Sequence, residues 1–453
     1  MSENVEARRA RWIAIALIGG SFLIRFCYVF LLTDYSHYLV SDMGGYWVRA
    51  CERFDGDHNS YRQWAVWPPF FHVLLADLFV PFTQAKLPVD LWLTAVILLQ
   101  ITLSSFSVYW VYCIARRVLG DHRPALLAAV IYGLTYTPIY FNAFLLSENL
   151  AIPLVIASVW LILQKTPRRL GTFCAGVLLG AAAGVRPADF LYAGAFMLFL
   201  WATLRRPSGD GENRGTWRRL APLLTFGLGF AGVVFLIVLE NARISNGALW
   251  GLGANGGMNF FMAQCKIGRL DSNSIYHGYH YNYSFSHPQF FGETWREHVT
   301  TSVGLHEQGY FYHLGMQRLR DFATWREDFW ELRKLLIGPI FPTYYTAWGF
   351  QTFDLLSRWT LTPVFLIALI APPAARLTRR SWASREILLL WSILILTFVT
   401  CFFFGNERRF IVPTIFAAEI ITLSFLHCIW ILGRSRLRRP RAGNTLSTKH
   451  SQV

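Results

Sequence analysis

Residues 12–33 read WIAIALIGGSFLIRFCYVFLLT, an apolar run broken only by Arg25. A helix needs about 20 predominantly apolar residues to cross the hydrocarbon core of a bilayer, and this run supplies them. It is too long, and lacks the small-residue cleavage site, for a cleaved signal peptide. Similar runs follow at 90–112, 125–140, 146–163, 171–185, 188–204, 220–239, 359–375, 387–404 and 410–433. The expectation is an all-α polytopic membrane protein of about ten transmembrane helices. Several runs are short or carry Pro, Gly or a charge, which suits tilted or broken helices packed against protein. The stretch 68–84, PPFFHVLLADLFVPFTQ, begins at Pro68-Pro69, carries Asp77 and meets Pro81. It reads as an interfacial or re-entrant helix on the outer face.

Composition agrees. The chain has 453 residues, 54% hydrophobic and only 15% charged, with a mean hydropathy of +0.35. That excess excludes a string of soluble domains, a disordered chain and a collagen-like repeat. The net charge of +15 raises nucleic-acid binding, but the charges sort by segment. With 68–84 not spanning, the polar stretches 1–11, 113–124, 164–170, 205–219, 376–386 and 434–453 fall on one side. They hold 24 of the 42 Lys and Arg, a balance of +18 against −3 for the rest of the chain. Basic residues near span ends stay cytoplasmic, so both termini are expected inside, and no nucleic-acid partner is needed. The expected organisation is a cytoplasmic N-terminus, 1–11; an N-terminal transmembrane region, 12–239, with a first outer loop at 34–89; and a second outer loop, 240–358. C-terminal transmembrane helices follow at 359–433, with a basic cytoplasmic tail at 434–453. Within the second loop, 306–337 places Leu314, Phe322, Trp325, Phe329, Leu332 and Leu336 at helical spacing among Arg318, Arg320, Arg326 and Arg333. That pattern predicts one or two amphipathic helices, on the membrane surface or packed on the spans.

Candidate chemistry clusters at the outer ends. Asp42, Tyr46 and Ala50 share one face of a helix opening the first loop. A carboxylate there can act as general base toward a hydroxyl or amine, or Ser41 or Asp42 can simply cap the helix. Glu148 sits at the outer end of 146–163, and a carboxylate beside apolar spans lines a cavity or pairs with a base. Arg186 occupies the turn Gly184-Val185-Arg186-Pro187-Ala188-Asp189, and Arg408 and Arg409 open the last outer turn. Guanidinium is a natural phosphate clamp, although each of these can instead snorkel to lipid headgroups. Arg25 is expected to snorkel or to pair with an acid. Asp55-Gly56-Asp57 reads as a turn. His277, His280, His287, His298, His306 and His313 show no metal-ligand spacing beyond His277–His280. Cys51 and Cys265 are the two outer-loop cysteines, able to form one disulfide in an oxidising compartment.

In order along the chain, Arg25, Asp42-x-x-x-Tyr46-x-x-x-Ala50, Trp67-Pro68-Pro69-Phe70, Leu146-Ser147-Glu148-Asn149-Leu150, Arg186-Pro187, Lys334 and Arg408-Arg409-Phe410-Ile411-Val412-Pro413 resemble the GT-C superfamily of polytopic glycosyltransferases. The branch is that of protein O-mannosyltransferases and bacterial aminoarabinose transferases, over about residues 12–425. The resemblance implies transfer of a sugar from a polyprenyl-phosphate carrier to a lipid, glycan or protein acceptor, at the non-cytoplasmic face of a bacterial cytoplasmic membrane. It puts Asp42 at the catalytic carboxylate and Glu148 near a second acidic position. Aminoarabinose transferases carry a phosphate-binding Lys before their Pro-Pro pair. Trp67 stands there in this chain, so Arg186, Lys334, Arg408 or Arg409 would supply the charge, or a divalent cation would. An inverting displacement is expected. The competing classes are a transporter or flippase of an anionic lipid or solute, which would use the same intramembrane charges, and a polymerase or ligase of surface polysaccharide.

Overall fold

The computed structural model describes residues 2–38, 41–55, 68–164, 169–204, 216–247, 308–320, 332–338, 350–377, 384–404 and 408–437, with a few positions in 249–260 and 325–329. Among them every regular element is helical. In chain order these are α1 (Ser2–Leu31), α2 (Ser41–Asp55), α3 (Pro69–Gln84), α4 (Val89–Leu119), α5 (His122–Leu134), α6 (Tyr136–Phe141), α7 (Glu148–Ile162), α8 (Arg169–Val185), α9 (Tyr192–Leu204), α10 (Thr216–Ile244), α11 (Gln308–Leu319), α12 (Arg333–Ile337), α13 (Phe350–Leu377), α14 (Arg385–Phe404) and α15 (Ile415–Leu437). Two 3-10 turns, Pro187–Leu191 and Arg408–Thr414, lead into α9 and α15.

Among the described residues six helices are long and apolar enough to cross a membrane: Arg8–Leu31, Asp90–Leu119, Leu220–Ile244, Thr352–Arg376, Arg385–Phe404 and Phe410–Leu432. The chain is an integral membrane protein. The expected segments 146–163, 171–185 and 188–204 form shorter apolar helices, as does 69–79. The segment 125–140 divides at Thr135, whose extended backbone (φ −61°, ψ 121°) closes α5 and opens α6. Elsewhere the ends follow local chemistry. Gly120, in the left-handed conformation at φ 72°, stops α4, and the Asp121 side chain then accepts from the Arg123 amide to start α5. A left-handed stop costs glycine little because it has no Cβ. Among the described residues of 306–337, α11 and α12 are helical, with Leu335 of α12 buried and Phe329 exposed.

α8 and α10 make the tightest approach. Gly176, Gly180 and Gly184 form a stripe along α8. A Cβ at Gly176 would lie 2.2 Å from the Phe226 carbonyl oxygen, one at Gly180 2.9 Å from Val233, and one at Gly184 2.2 Å from the Ile237 side chain. The partner residues rise in step with the glycines, so the two helices run parallel, as alternate spans joined through one returning helix must. Small residues at four-residue spacing let helix backbones meet where lipid offers no hydrophobic gain from association. Gly176→Ala should therefore destabilise the fold by about 1–3 kcal/mol through overpacking against backbone, lowering the thermal midpoint in detergent. Gly171→Ala, at a position with nothing within 4 Å of its Cβ, should leave the midpoint where it is. Equal midpoints for the two variants would contradict this packing.

Arg25 is fully buried and does not snorkel. Its Nε donates to Ser104 Oγ at 2.9 Å, and its Nη1 to the Gly133 carbonyl at 3.2 Å and to Ser21 Oγ. Those acceptors belong to its own helix, to α4 and to the end of α5, so the expected snorkelling or acid pairing gives way to capping of a broken helix. The positive charge meets the carbonyl end of α5, where the helix dipole is negative. On the other side of the break, Thr135 Oγ1 donates to Glu419 Oε1 on α15 at 2.8 Å. The Tyr28 and Tyr136 hydroxyls meet at 2.8 Å. Arg25 thus takes up a backbone carbonyl at the break, and side-chain pairs from α1 and α15 fasten Thr135 and Tyr136 beside it.

Candidate functional site

The break matters because the chain from it leads directly to Glu148. Between α6 and α7 the turn is tied by side chains: Asn149 Nδ2 donates to the carbonyls of Phe141 (2.7 Å) and Phe144 (2.8 Å), and Asn142 Nδ2 to Asn149 Oδ1 (3.1 Å). Gln100 of α4 also donates to the Phe144 carbonyl at 3.1 Å. This fixes Glu148 in the first turn of α7, where the helix N-terminus favours a carboxylate. Glu148 is 4% exposed and accepts from Ser147 Oγ at 3.2 Å. It borders a small cavity lined also by Ser104, Ser107, Tyr132 and Asn149.

Arg186 stands between α8 and the Pro187–Leu191 turn, half-buried, with its guanidinium carbon 5.8 Å from the centre of the Phe410 ring. Burial alone would lower its pKa, but the Glu148 and Asp189 carboxylates raise it. Asp189 is 1% exposed, and its amide donates to the Arg186 carbonyl at 2.9 Å. Asp189 Oδ2 and Arg186 Nη1 have no hydrogen-bond partner among the described residues. Two carboxylates and one guanidinium therefore form a cluster with donor and acceptor capacity left over. Asp189 escaped the sequence reading although it lies in the quoted motif. A 3-10 turn has three residues per turn and brings position i+3 back over Arg186.

The 3-10 turn opened by Arg408 and Arg409 packs against α7, α12 and α14, and α12 carries Lys334. The backbone thus gathers Glu148, Arg186, Lys334 and Arg408–Arg409 at one end of the bundle. The side chains of Lys334, Arg408 and Arg409 lie outside the described residues, as does that of Asp42, the second residue of α2. Tyr46, one turn further, is buried with its ring edge-on to Phe71 at 4.8 Å, and Phe54 meets Phe79 at 4.9 Å. Both pairs have the same offset, so α2 and α3 run parallel and the Asp42 end of α2 lies with the Phe70 end of α3. A Cβ at Gly184 would come 3.3 Å from Phe70 Cβ, which sets that end of α3 beside the residue two positions before Arg186.

Asp55 closes α2, and the remainder of Asp55-Gly56-Asp57 lies outside the described residues, with His277, His280, His287, His298, His306 and Cys265. Cys51 is a free thiol in this structure, and the pairing with Cys265 falls outside what is described. His313 meets Gln317 at 2.9 Å. Among the described residues no three His, Cys, Asp or Glu side chains group as a metal site. A residue the sequence did not single out is His72 on α3, fully buried with neither ring nitrogen partnered among the described residues. Burial, then Arg49 and Arg53, push its pKa down to about 3, so the imidazole is neutral at physiological pH. A lone histidine in an apolar run reads as core, and nothing in 68–84 distinguishes it.

Residues 89–211, α4 through the end of α9, match the family of dolichyl-phosphate-mannose-protein mannosyltransferases. Among solved structures, the archaeal oligosaccharyltransferase AglB from Archaeoglobus fulgidus, in complex with an inhibitory peptide and a dolichol-phosphate, is 13% identical with a TM-score of 0.48, covering 96% of this chain and 53% of its own. The apo form of the A. fulgidus oligosaccharyltransferase is 13% identical with a TM-score of 0.49, covering 94% of this chain and 52% of its own. The chain spans about half the length of these structures. Among curated proteins no sequence matches the chain. The family match is confined to residues 89–211, the stretch that holds Glu148, Arg186 and Asp189.

Proposed function

We propose that this chain is a GT-C glycosyltransferase that moves a sugar from a polyprenyl-phosphate carrier to an acceptor at the non-cytoplasmic face, by a single inverting displacement. The observation that carries the reading is the gathering of Glu148, Arg186 and Asp189 with the Arg408–Thr414 turn and α12 at one end of the bundle. The parallel pairing of α2 with α3 brings the start of α2 toward the same end. A phosphate ester with an apolar tail calls for such an arrangement, with cations at the end of a helical bundle and apolar helix faces beside them.

In this reading Asp42 takes the proton of the acceptor hydroxyl or amine as that atom attacks the anomeric carbon. The bond from the anomeric carbon to the phosphate oxygen breaks on the opposite face, and polyprenyl phosphate leaves with the electron pair. Arg186 meets the charge growing on that oxygen, joined by Lys334, Arg408 and Arg409. The Glu148 and Asp189 carboxylates favour the charged form of Arg186 through space, leaving its unpartnered Nη1 free to meet the phosphate. Tyr46 anchors the start of α2 on α3, so the base stands on a packed helix.

The test is acceptor-dependent release of polyprenyl phosphate by the purified chain in detergent, with polyprenyl-phosphate sugars as donors. Release with the sugar found on the acceptor supports the reading. Movement of the lipid or of an anionic solute across reconstituted vesicles, with no transfer, would establish the transporter instead.

A further inference from the structure

A group of cations lies at the end of the bundle remote from Glu148. Gln100 of α4 reaches the Phe144 carbonyl near that carboxylate. Arg116 stands sixteen residues further along α4, about 24 Å at the helical rise. There α4 meets the starts of α1 and α5. The Tyr112 hydroxyl of α4 is hydrogen-bonded to Nδ1 of His122, the first residue of α5, and Arg116 donates to the same hydroxyl. A phenol oxygen that receives a guanidinium hydrogen gives its own hydrogen to the ring, so Nδ1 accepts and Nε2 carries the proton. Burial, then the charges of Arg9 and Arg116, hold the His122 pKa below its usual value, which keeps the imidazole neutral at physiological pH. Asp121 also acts on the ring, but its carboxylate accepts from the Arg123 amide as the cap of α5.

Arg9, Arg116 and His122 thus come from three helices to one place. Both arginines are exposed, and neither has a carboxylate partner among the described residues, whereas the neighbouring Arg117 pairs with Glu386 at 3.6 Å. Two guanidiniums acting on one ring repel each other, and an anion beside them relieves that repulsion. A phosphate offers acceptors to both guanidiniums and to the imidazole N–H together.

The surroundings select a lipid over a free ion. Residues three or four apart share a helix face. One turn inward from Arg9 on α1 stands Trp12, 61% exposed, and one turn inward from His122 on α5 stands Leu126, 37% exposed. A free phosphate gains nothing from these side chains, whereas acyl chains descending from a headgroup pack along them, and indole favours headgroup depth. The same end carries the basic segments 1–11 and 113–124, expected to face the leaflet whose anionic lipids attract such residues.

We infer that Arg9, Arg116 and His122 bind the phosphate of an anionic phospholipid at this membrane boundary, with its acyl chains along Trp12 and Leu126. The site shares no residue with the Glu148–Arg186 cluster, so it stands whether or not the transfer reaction does.

Isothermal titration of the purified full chain in uncharged detergent tests this. The probes are dioctanoyl phosphatidylglycerol, dioctanoyl phosphatidylcholine and inorganic phosphate at matched ionic strength. Phosphatidylglycerol should bind the wild-type chain. Arg9→Gln and Arg116→Gln should each weaken that binding about fivefold, the contribution of one basic residue at an anionic surface. Both side chains are exposed, so the ligand-free thermal midpoint should not move. Arg11→Gln removes the same charge from a different face of α1 and should leave binding at the wild-type level. No binding of phosphatidylglycerol, or equally tight binding of phosphatidylcholine or inorganic phosphate, would overturn the site. So would wild-type affinity in both cluster variants, or a loss in Arg11→Gln as large as in Arg9→Gln.

Discussion

Asp42→Asn should lower sugar transfer by about 10²- to 10⁴-fold, the range that general acid–base catalysis contributes, while donor binding stays close to wild type. The amide keeps the size of the carboxylate but cannot accept a proton as the acceptor attacks. The loss should therefore appear in turnover, with KM for the donor little changed. Asp42 is the second residue of α2, and an asparagine can still cap a helix start, so the helix should survive. A role limited to capping would leave transfer intact in this variant. Rate measurements at saturating donor and acceptor, with the thermal midpoint as a folding control, distinguish the two.

Arg186→Gln should cost about 10²- to 10³-fold in turnover, the scale of losing one donor aimed at charge that develops in the transition state. The variant also removes the positive charge that acts on Glu148, 4% exposed, and Asp189, 1% exposed. Removing one partner of a buried charge group is costly for the group left behind, so the midpoint should fall as well. Arg186→Lys separates these effects. It restores a positive charge near the carboxylates but not the planar fork, so stability should recover more fully than turnover. Full turnover in Arg186→Gln would remove Arg186 from the phosphate clamp.

How much of this the sequence displayed depended on the length scale of the signal. Runs such as 12–33 and 387–404 announce membrane helices because about 20 apolar residues in a row have few other uses. The break at Thr135 was less visible because apolar residues continue on both sides of it, and its agents, Arg25 and Glu419, lie 110 and 284 positions away. The same distance hid the fate of Arg25. Snorkelling is the usual resort of an arginine in a span, and no local pattern shows that Ser104 and Gly133 will receive it. Glu148 and Arg186 were legible as charges at the ends of apolar runs. Asp189 was not, since its partnership rests on a 3-10 turn where helical or loop spacing was assumed. His72 drew no notice because the charges around it, Arg49, Arg53 and Glu240, are contributed by two other helices.

The central claim is that a lipid-linked sugar is transferred at the outer end of the bundle. It is tested most directly in sealed proteoliposomes of known orientation, carrying a radiolabelled polyprenyl-phosphate sugar, with a membrane-impermeant acceptor supplied on one side at a time. The account predicts labelled acceptor, with an inverted anomeric centre, only when the acceptor is on the side opposite the basic 434–453 tail. Labelling from the tail side, or transport of the lipid with no labelled acceptor from either side, would contradict it.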